Sequence, residues 1–152
     1  MDTAPPVRVI LDTNIYIIGY QFPASDEHRV LEIVRRRHDV VVFSREIEDQ
    51  IRRVGRRVQG KDYAGWILNT VWRDFVVDYV ALPDLPFVAA EQLAPGIPKE
   101  DILVFLTAVA GQAACLVSNN REFLRESEAA QRAFRSLTPA QFLSTYEQES
   151  DR

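Results

Sequence analysis

The stretch that decides the fold is Val7-Arg8-Val9-Ile10-Leu11-Asp12-Thr13-Asn14. Val7, Val9, Ile10 and Leu11 form a short, β-branched apolar run suited to a strand buried on both faces, which is the habit of parallel sheets covered by helices. Asp12 follows with no intervening turn residue, so it stands at the carboxyl end of that strand. In an open parallel α/β sheet this edge receives ligands. A carboxylate there is costly to desolvate unless it meets a cation or several donors.

Working outward, alternating strand and helix patterns continue along the chain. Ile15–Tyr20 is apolar and opens a helix that Gly19 and Pro23 interrupt. Ser25 is an N-cap candidate for a helix with Asp26 and Glu27 in its first turn and Val30, Leu31, Ile33 and Val34 as its apolar stripe. Val40–Phe43 reads as a second buried strand. Ser44 caps the next helix, where Ile47, Ile51, Val54 and Val58 recur at helical spacing before Gly60 breaks it. Lys61–Trp72 is a further amphipathic helix through Tyr63, Trp66, Ile67, Leu68 and Val71, and Phe75–Val80 a third strand. After a proline-rich segment with a short helix at Phe87–Leu93, Lys99-Glu100-Asp101 leads into an apolar helix at Ile102–Gly111. Cys115–Val117 is a fourth strand, ending at Ser118-Asn119-Asn120, and Arg121–Glu128 a helix. Phe134–Leu137 holds a last short strand, and Pro139 is the first residue of a C-terminal helix. The expected fold is a single α/β domain over 1–152: a Rossmann-like three-layer sandwich with a mostly parallel central sheet. Residues 1–6 are read as a disordered tail and 144–152 as a C-terminal tail.

Composition narrows the function classes. A hydrophobic fraction of 47% and a charged fraction of 26% are those of an ordinary globular protein. The single cysteine, Cys115, excludes an intramolecular disulfide and reads as a buried structural thiol. No run approaches the ~20 apolar residues of a membrane span, and no signal-peptide pattern opens the chain, so a cytoplasmic protein is expected. The net charge of −4 gives no general attraction for nucleic acid. Arginines are nonetheless clustered, as Arg35-Arg36-Arg37 and as Arg52, Arg53, Arg56 and Arg57. Such runs are either solvated helix faces or a phosphate-contacting rim.

Three polar positions share the carboxyl edge of the sheet: Asp12 after the first strand, Ser118 to Asn120 after the fourth, and Asp101 at a helix start. Two carboxylates with amide and hydroxyl oxygens are hard ligands suited to Mg²⁺ or Mn²⁺. Taken singly, Asp101 is equally a first-turn acid favoured by the helix dipole, and Asn119-Asn120 equally a turn.

In sequence order these segments resemble the motifs of PIN-domain proteins. Val9-Ile10-Leu11-Asp12-Thr13-Asn14 resembles the family's opening, an apolar strand followed by Asp-Thr-Asn or Asp-Thr-Ser. Phe43-Ser44 through Gln50-Ile51 resembles the second motif, with serine at a strand end and an acid one to two turns into the helix. Asp101 opening Ile102–Ala108 resembles the third, Leu116-Val117-Ser118-Asn119-Asn120 the fourth, and Thr138–Leu143 the usual ending. The resemblance implies metal-dependent hydrolysis of phosphodiester bonds, usually in RNA, and kinship with the toxins of bacterial toxin–antitoxin pairs, many of which dimerise. RNA, an antitoxin-like protein and a second copy of the chain are thus the implied partners. Carried over residue by residue, Asp12 and Asp101 are metal ligands and, with Asn120, the catalytic set. Asn14, Ser44, Gln50, Ser118 and Glu122 are supporting residues. Arg52, Arg53, Arg56 and Arg57, from their clustering at i, i+4 and not from the resemblance, are the expected nucleic-acid contacts. The second-motif acid falls on Gln50, with Glu48 and Asp49 as neighbours about 100° apart around the helix. The fourth-motif acid falls on Asn120. Fewer acids imply weak Mg²⁺ or Mn²⁺ binding, and a non-catalytic module binding RNA or protein is the alternative reading. A haloacid-dehalogenase-type phosphatase, with Lys99 and Asp101 as later residues, ranks below both because Asn14 stands where a second acid is needed.

Overall fold

In the computed structural model, residues 5–131 and 133–150 are described, the side chains of 148–150 excepted. The apolar runs form five short parallel strands, β1 (Arg8–Leu11), β2 (Val40–Phe43), β3 (Val76–Tyr79), β4 (Cys115–Val117) and β5 (Arg135–Leu137). They lie in the order β3-β2-β1-β4-β5, and Leu11 registers with Val117. Val9, Ile10, Leu11, Val41, Val42, Phe43, Leu116 and Val117 are fully buried, as strands covered on both faces should be.

The helices are α1 (Thr13–Gln21), α2 (Asp26–Arg37), α3 (Arg45–Gln59), α4 (Lys61–Asp74), α5 (Phe87–Leu93), α6 (Ile102–Ala110), α7 (Arg121–Ala130) and α8 (Pro139–Ser150), with a 3-10 turn at Lys99–Asp101. The chain steps from β1 to β2 to β3 in one direction, then returns to β4 and steps to β5 in the other. Right-handed crossovers therefore place α1–α4 on one face and α5–α7 on the other, and α8 packs on α2. The direction changes between β1 and β4, so a crevice opens between their carboxyl ends, at Asp12 and Ser118.

Three expectations are corrected. First, α1 runs through Gly19 rather than stopping there. A Cβ at Gly19 would stand 2.5 Å from Leu31 Cδ1 and 3.1 Å from the Glu27 backbone, so glycine here permits the close approach of α1 and α2. Second, residues 144–150 continue α8 instead of forming a tail. Tyr146 packs on Phe142 with ring centroids 4.7 Å apart, and the Arg37 guanidinium lies 4.9 Å from the Tyr146 ring. Residues 1–4 of the expected leading tail, and 151–152 of the trailing one, lie outside the described residues. Third, Trp66 and Val58 sit outside their helices' buried stripes, 48% and 44% exposed. Among the described residues no helix is long and apolar enough to cross a membrane.

The glycines give a paired prediction. Gly65 lies exposed inside α4, where an added Cβ meets nothing within 4 Å. Gly65→Ala should stabilise by about 0.5–1 kcal/mol through helix propensity. Gly19→Ala should cost about 1–3 kcal/mol by overpacking. Urea midpoints moving in opposite directions for the two variants are the expected result.

Candidate active site

Asp12 ends β1 and caps α1. Its backbone N–H donates to the Val117 carbonyl at 2.9 Å, closing the sheet beneath it. Carboxylate Oδ1 accepts from the Thr13 N–H at 2.8 Å, and Oδ2 accepts from the Ser118 hydroxyl at 2.7 Å. Burial raises its pKa above the ordinary aspartate value, and these two hydrogen bonds oppose the rise. Ser118 is fully buried and also accepts from the Asn120 N–H at 3.0 Å. It therefore fixes Asp12 and the turn after β4 together.

Asp101 closes the 3-10 turn that precedes α6. Its side chain makes no capping bond to that helix. Oδ2 instead accepts from Asn120 Nδ2 at 2.9 Å, while Asn120 Oδ1 caps α7 by accepting from the Phe123 N–H at 3.2 Å. Asp101 is only 6% exposed. Burial, reinforced by the charges of Asp12 and Glu100, pushes its pKa up to about 7. Two carboxylates that feel one another at a buried sheet edge are a place where a cation relieves an electrostatic penalty.

Asp12 and Asp101 line one cavity of about 300 Å³, with Thr13, Asn14, Gln50, Arg53, Val54, Arg57, Glu100 and Asn120. Of Glu48, Asp49 and Gln50, it is Gln50 that faces the cavity. Its Oε1 accepts from the Thr13 hydroxyl at 2.6 Å, and its Nε2 donates to the Glu100 carbonyl at 3.0 Å. The amide thus straps α3 to α1 and to the 3-10 turn. Glu48 points elsewhere, accepting from Trp72 Nε1 and the Tyr79 hydroxyl, and Asp49 pairs with Arg52 at 3.1 Å.

Other sequence-derived positions separate. Ser44 is fully buried away from the cavity: it caps α3 by accepting from the Ile47 N–H at 3.3 Å and meets the Thr107 hydroxyl at 3.0 Å. Because Thr107 donates to the Leu103 carbonyl, the Ser44 hydroxyl donates to Thr107. Asn14 stands exposed on the cavity wall. Glu122 is exposed in the first turn of α7 and reaches Asp101 only through its field. Of the four α3 arginines, Arg53 and Arg57 line the cavity, with no ion pair among the described residues; Arg52 and Arg56 do not line it. Arg35–Arg37 end α2 just before β2, at the opposite edge of the sheet, so they do not extend this surface. Arg37 there pairs with the buried Asp39 at 3.1 Å. Cys115 is buried and its thiol pushed up to about 12 by burial, which leaves it an inert thiol.

Two polar residues of the cavity are absent from the sequence-derived set. Thr13 orients Gln50, and Glu100 adds a wall carboxylate and a carbonyl anchor. Their signal was adjacency, since each flanks an aspartate of the pair. Among the described residues no group of three His, Cys, Asp or Glu side chains is placed to hold a metal ion. The donor set is all oxygen, with two acids at its centre, and it fits a loosely held Mg²⁺ or Mn²⁺ rather than zinc. A separate cavity of about 360 Å³, lined by Leu82, Leu85, Leu93, Leu103 and Leu106 with Arg45, Glu46 and Asp84, is largely apolar.

Comparisons with known proteins agree with this fold. Among curated proteins none matches the sequence. VapBC2 from Rickettsia felis, in a structure bound to a DNA fragment from their promoter, is similar in fold, with 17% identity, a TM-score of 0.60, and 86% of this chain and 98% of that chain covered. PAE2754 from Pyrobaculum aerophilum matches with 16% identity and a TM-score of 0.52, over 94% of this chain and 98% of that one. FitAcB from Neisseria gonorrhoeae matches with 12% identity and a TM-score of 0.53, over 87% and 98%. A family model described as PIN domain matches residues 8–122, from β1 through the carboxyl end of β4 into α7, and so includes Asp12, Gln50, Asp101 and Asn120. With that span matched, the chain belongs to the PIN-domain family.

Proposed function

We propose that the chain is a metal-dependent ribonuclease of the toxin type, with a site in which two of the usual acids are amides. The observation that carries this reading is the meeting of Asp12 and Asp101 with Arg53 and Arg57 in one cavity. One wall supplies negative charge for a divalent cation and the other positive charge for a phosphate. Asp12 and Asp101 would hold Mg²⁺ or Mn²⁺. Such a cation, when bound, lowers the pKa of a water and neutralises charge developing on the phosphate. Ser118 and the Thr13 N–H fix the rotamer of Asp12, and Asn120 fixes that of Asp101, as supporting partners of ligands do. Arg53 and Arg57, at i and i+4, repel one another mildly, and a phosphate between them removes that repulsion. Hydrolysis then forms a bond from water oxygen to phosphorus and breaks the bond to the leaving ribose oxygen, which takes up a proton. An antitoxin-like partner, a homodimer and a cytoplasmic location belong to the same reading.

Asp12→Asn should leave the fold intact and reduce Mn²⁺-dependent cleavage of single-stranded RNA by more than about 100-fold, since even residues supporting a ligand are worth 10–100-fold. Full cleavage by this variant at matched metal would remove Asp12 from the mechanism. Arg53→Gln with Arg57→Gln should weaken RNA binding and flatten its salt dependence by about two phosphate contacts, whereas Arg52→Gln with Arg56→Gln should change the slope less. Filter binding across a salt series checks this.

The strap formed by Gln50 favours a second reading, a non-catalytic module that binds RNA or a protein partner. Both ends of its amide are bonded within the protein. That reading predicts no Mn²⁺-induced thermal stabilisation at millimolar metal, and the nuclease reading predicts a measurable one.

A further inference from the structure

The edge strand β3 and the helices beside it carry aromatic surface that the cavity of Asp12 and Asp101 does not use. Trp72 on α4 and Tyr79 at the end of β3 are 47% and 44% exposed. Their ring centroids lie 5.4 Å apart with 39° between planes, and both rings rest on the fully buried Phe43, at 6.3 and 6.5 Å. Glu48 ties them together from α3. One of its carboxylate oxygens accepts from Trp72 Nε1 at 3.2 Å, and the other accepts from the Tyr79 hydroxyl.

Both donors are neutral, so they orient the carboxylate without cancelling its charge. A carboxylate has about four acceptor sites, and two remain. The cations nearest in sequence and space sit against other acids: Arg45 against Glu46 at 3.8 Å, Arg52 against Asp49 at 3.1 Å and Arg73 against Asp74 at 2.9 Å. Among the described residues Glu48 has no ion pair. An uncompensated carboxylate beside two electron-rich ring faces attracts a cation. A guanidinium suits it better than an ammonium, since its plane stacks on an aromatic ring while its fork of N–H groups reaches the carboxylate.

The surface beyond Tyr79 identifies the bearer of that cation. A hollow of about 210 Å³ is lined by Arg45, Glu46, Tyr79, Val80, Ala81 and Leu82. It shares Arg45, Glu46 and Leu82 with the larger apolar cavity, so the ring site and the leucines Leu85, Leu93, Leu103 and Leu106 lie along one surface. Three acids, Glu46, Glu48 and Asp84, stand there against one base, Arg45. A nucleic-acid strand would meet charge of its own sign. In a two-fold contact between copies of the chain the same acids would meet one another. A protein segment that carries an arginine beside aliphatic residues matches both the charge and the apolar area.

We propose that Trp72, Tyr79 and Glu48 form a receptor for an arginine side chain of a second protein, whose neighbouring aliphatic side chains occupy the apolar cavity beyond Leu82. None of the three receptor residues lines the cavity of Asp12 and Asp101, so the receptor is independent of the chemistry proposed there.

The test uses the full chain, with a phage-displayed library of random dodecapeptides as the probe. Enriched peptides should carry an arginine close to Leu, Ile, Val or Phe. The chain has two tryptophans, so in the Trp66→Phe variant all tryptophan emission comes from Trp72. A synthetic copy of the most enriched peptide should change that emission saturably. Replacing its arginine by glutamine should weaken binding to the natural protein on the order of tenfold, a comparison that requires no altered fold. Glu48→Gln should bind the arginine and glutamine peptides almost alike, whereas Leu103→Asn should weaken both by the same factor. Failure to enrich any peptide, enriched peptides without a basic residue, or equal binding of the arginine and glutamine peptides by the natural protein would overturn the receptor. So would peptide binding that leaves Trp72 emission unchanged. Saturation by free arginine at the same concentration as the peptide would make this a small-molecule site, and displacement of the peptide by oligouridylate would make it an RNA contact; either result overturns the proposal.

Discussion

Asp101→Asn should make the metal-free protein more stable at pH 8 by about 2–4 kcal/mol, and should leave its stability near pH 4 unchanged. The sign follows from the direction of the shift. Burial and the Asp12 charge raise the folded-state pKa of Asp101 to about 7 from 3.8. Between those values the folded state binds a proton that the unfolded chain has released, so stability falls as pH rises through the window, and the full penalty is present above it. Asparagine keeps the shape and can accept from Asn120 through its oxygen, yet carries no charge to desolvate. The shift of Asp12 has the same direction and adds to the slope in the natural protein. Urea unfolding in EDTA at several pH values reads the effect directly. Mn²⁺ should reverse the ranking at pH 8, because only the natural protein keeps both carboxylates. A natural protein whose stability is flat between pH 4 and 7 would show that Asp101 lies open to solvent and not at a buried sheet edge.

The residues that were legible from sequence are those whose local chemistry and tertiary role coincide. Val9, Ile10 and Leu11 are apolar, β-branched or bulky, and buried on both faces of the sheet. Ser25 and Ser44 are good capping residues and each accepts a bond from the helix it opens. Asp12 and Asp101 were legible because a parallel sheet puts strand ends and following helix starts at one edge. What was not legible depended on contacts distant in sequence. Gly19 reads as a break by propensity, but the approach of Leu31 makes it a packing requirement. Residues 144–150 are polar enough to resemble a tail, and they stay helical where Tyr146 lies on Phe142 and against Arg37. Trp66 is apolar, yet the buried apolar positions of α4 are Ala64, Ile67, Leu68 and Val71, a phase that leaves residue 66 outside the stripe. The choice between Glu48 and Gln50 was not readable from phase. Residues 48 and 50 lie symmetrically about the midline of Ile47 and Ile51, each about 80° away, and both are half-buried while Asp49 is exposed; the distant partners Thr13 and Glu100 decide for Gln50.

Gln50→Glu combined with Asn120→Asp should destabilise the metal-free protein strongly and bind Mn²⁺ more tightly than the natural chain. Shape alone suggests mild substitutions, but the hydrogen bonds say otherwise. Asn120 donates Nδ2 to Asp101 at 2.9 Å, and an aspartate there places one carboxylate against another. It would still cap α7, since that bond uses an oxygen acceptor. Gln50 donates Nε2 to the Glu100 carbonyl, and a glutamate would turn that bond into a contact between two acceptors while keeping the bond from Thr13. A lost bond costs about 1–3 kcal/mol when buried and less where water reaches it; Asn120–Asp101 is part-buried and Gln50–Glu100 exposed, so the pair together should remove roughly 2–4 kcal/mol at pH 8. That is a large part of the stability of a domain this size. A divalent cation bound among four acids offsets the repulsion, and its contribution grows as RT ln(1 + L/Kd), where L is the free metal concentration. Thermal unfolding with and without millimolar Mn²⁺ should show a lower midpoint for the double variant in EDTA and a larger metal-induced rise. Equal metal-induced shifts in the two proteins would mean that residues 50 and 120 do not face the cation. The amides in the natural chain would then be structural ties only, and Glu100, already on the cavity wall, would be the acid left to complete the site.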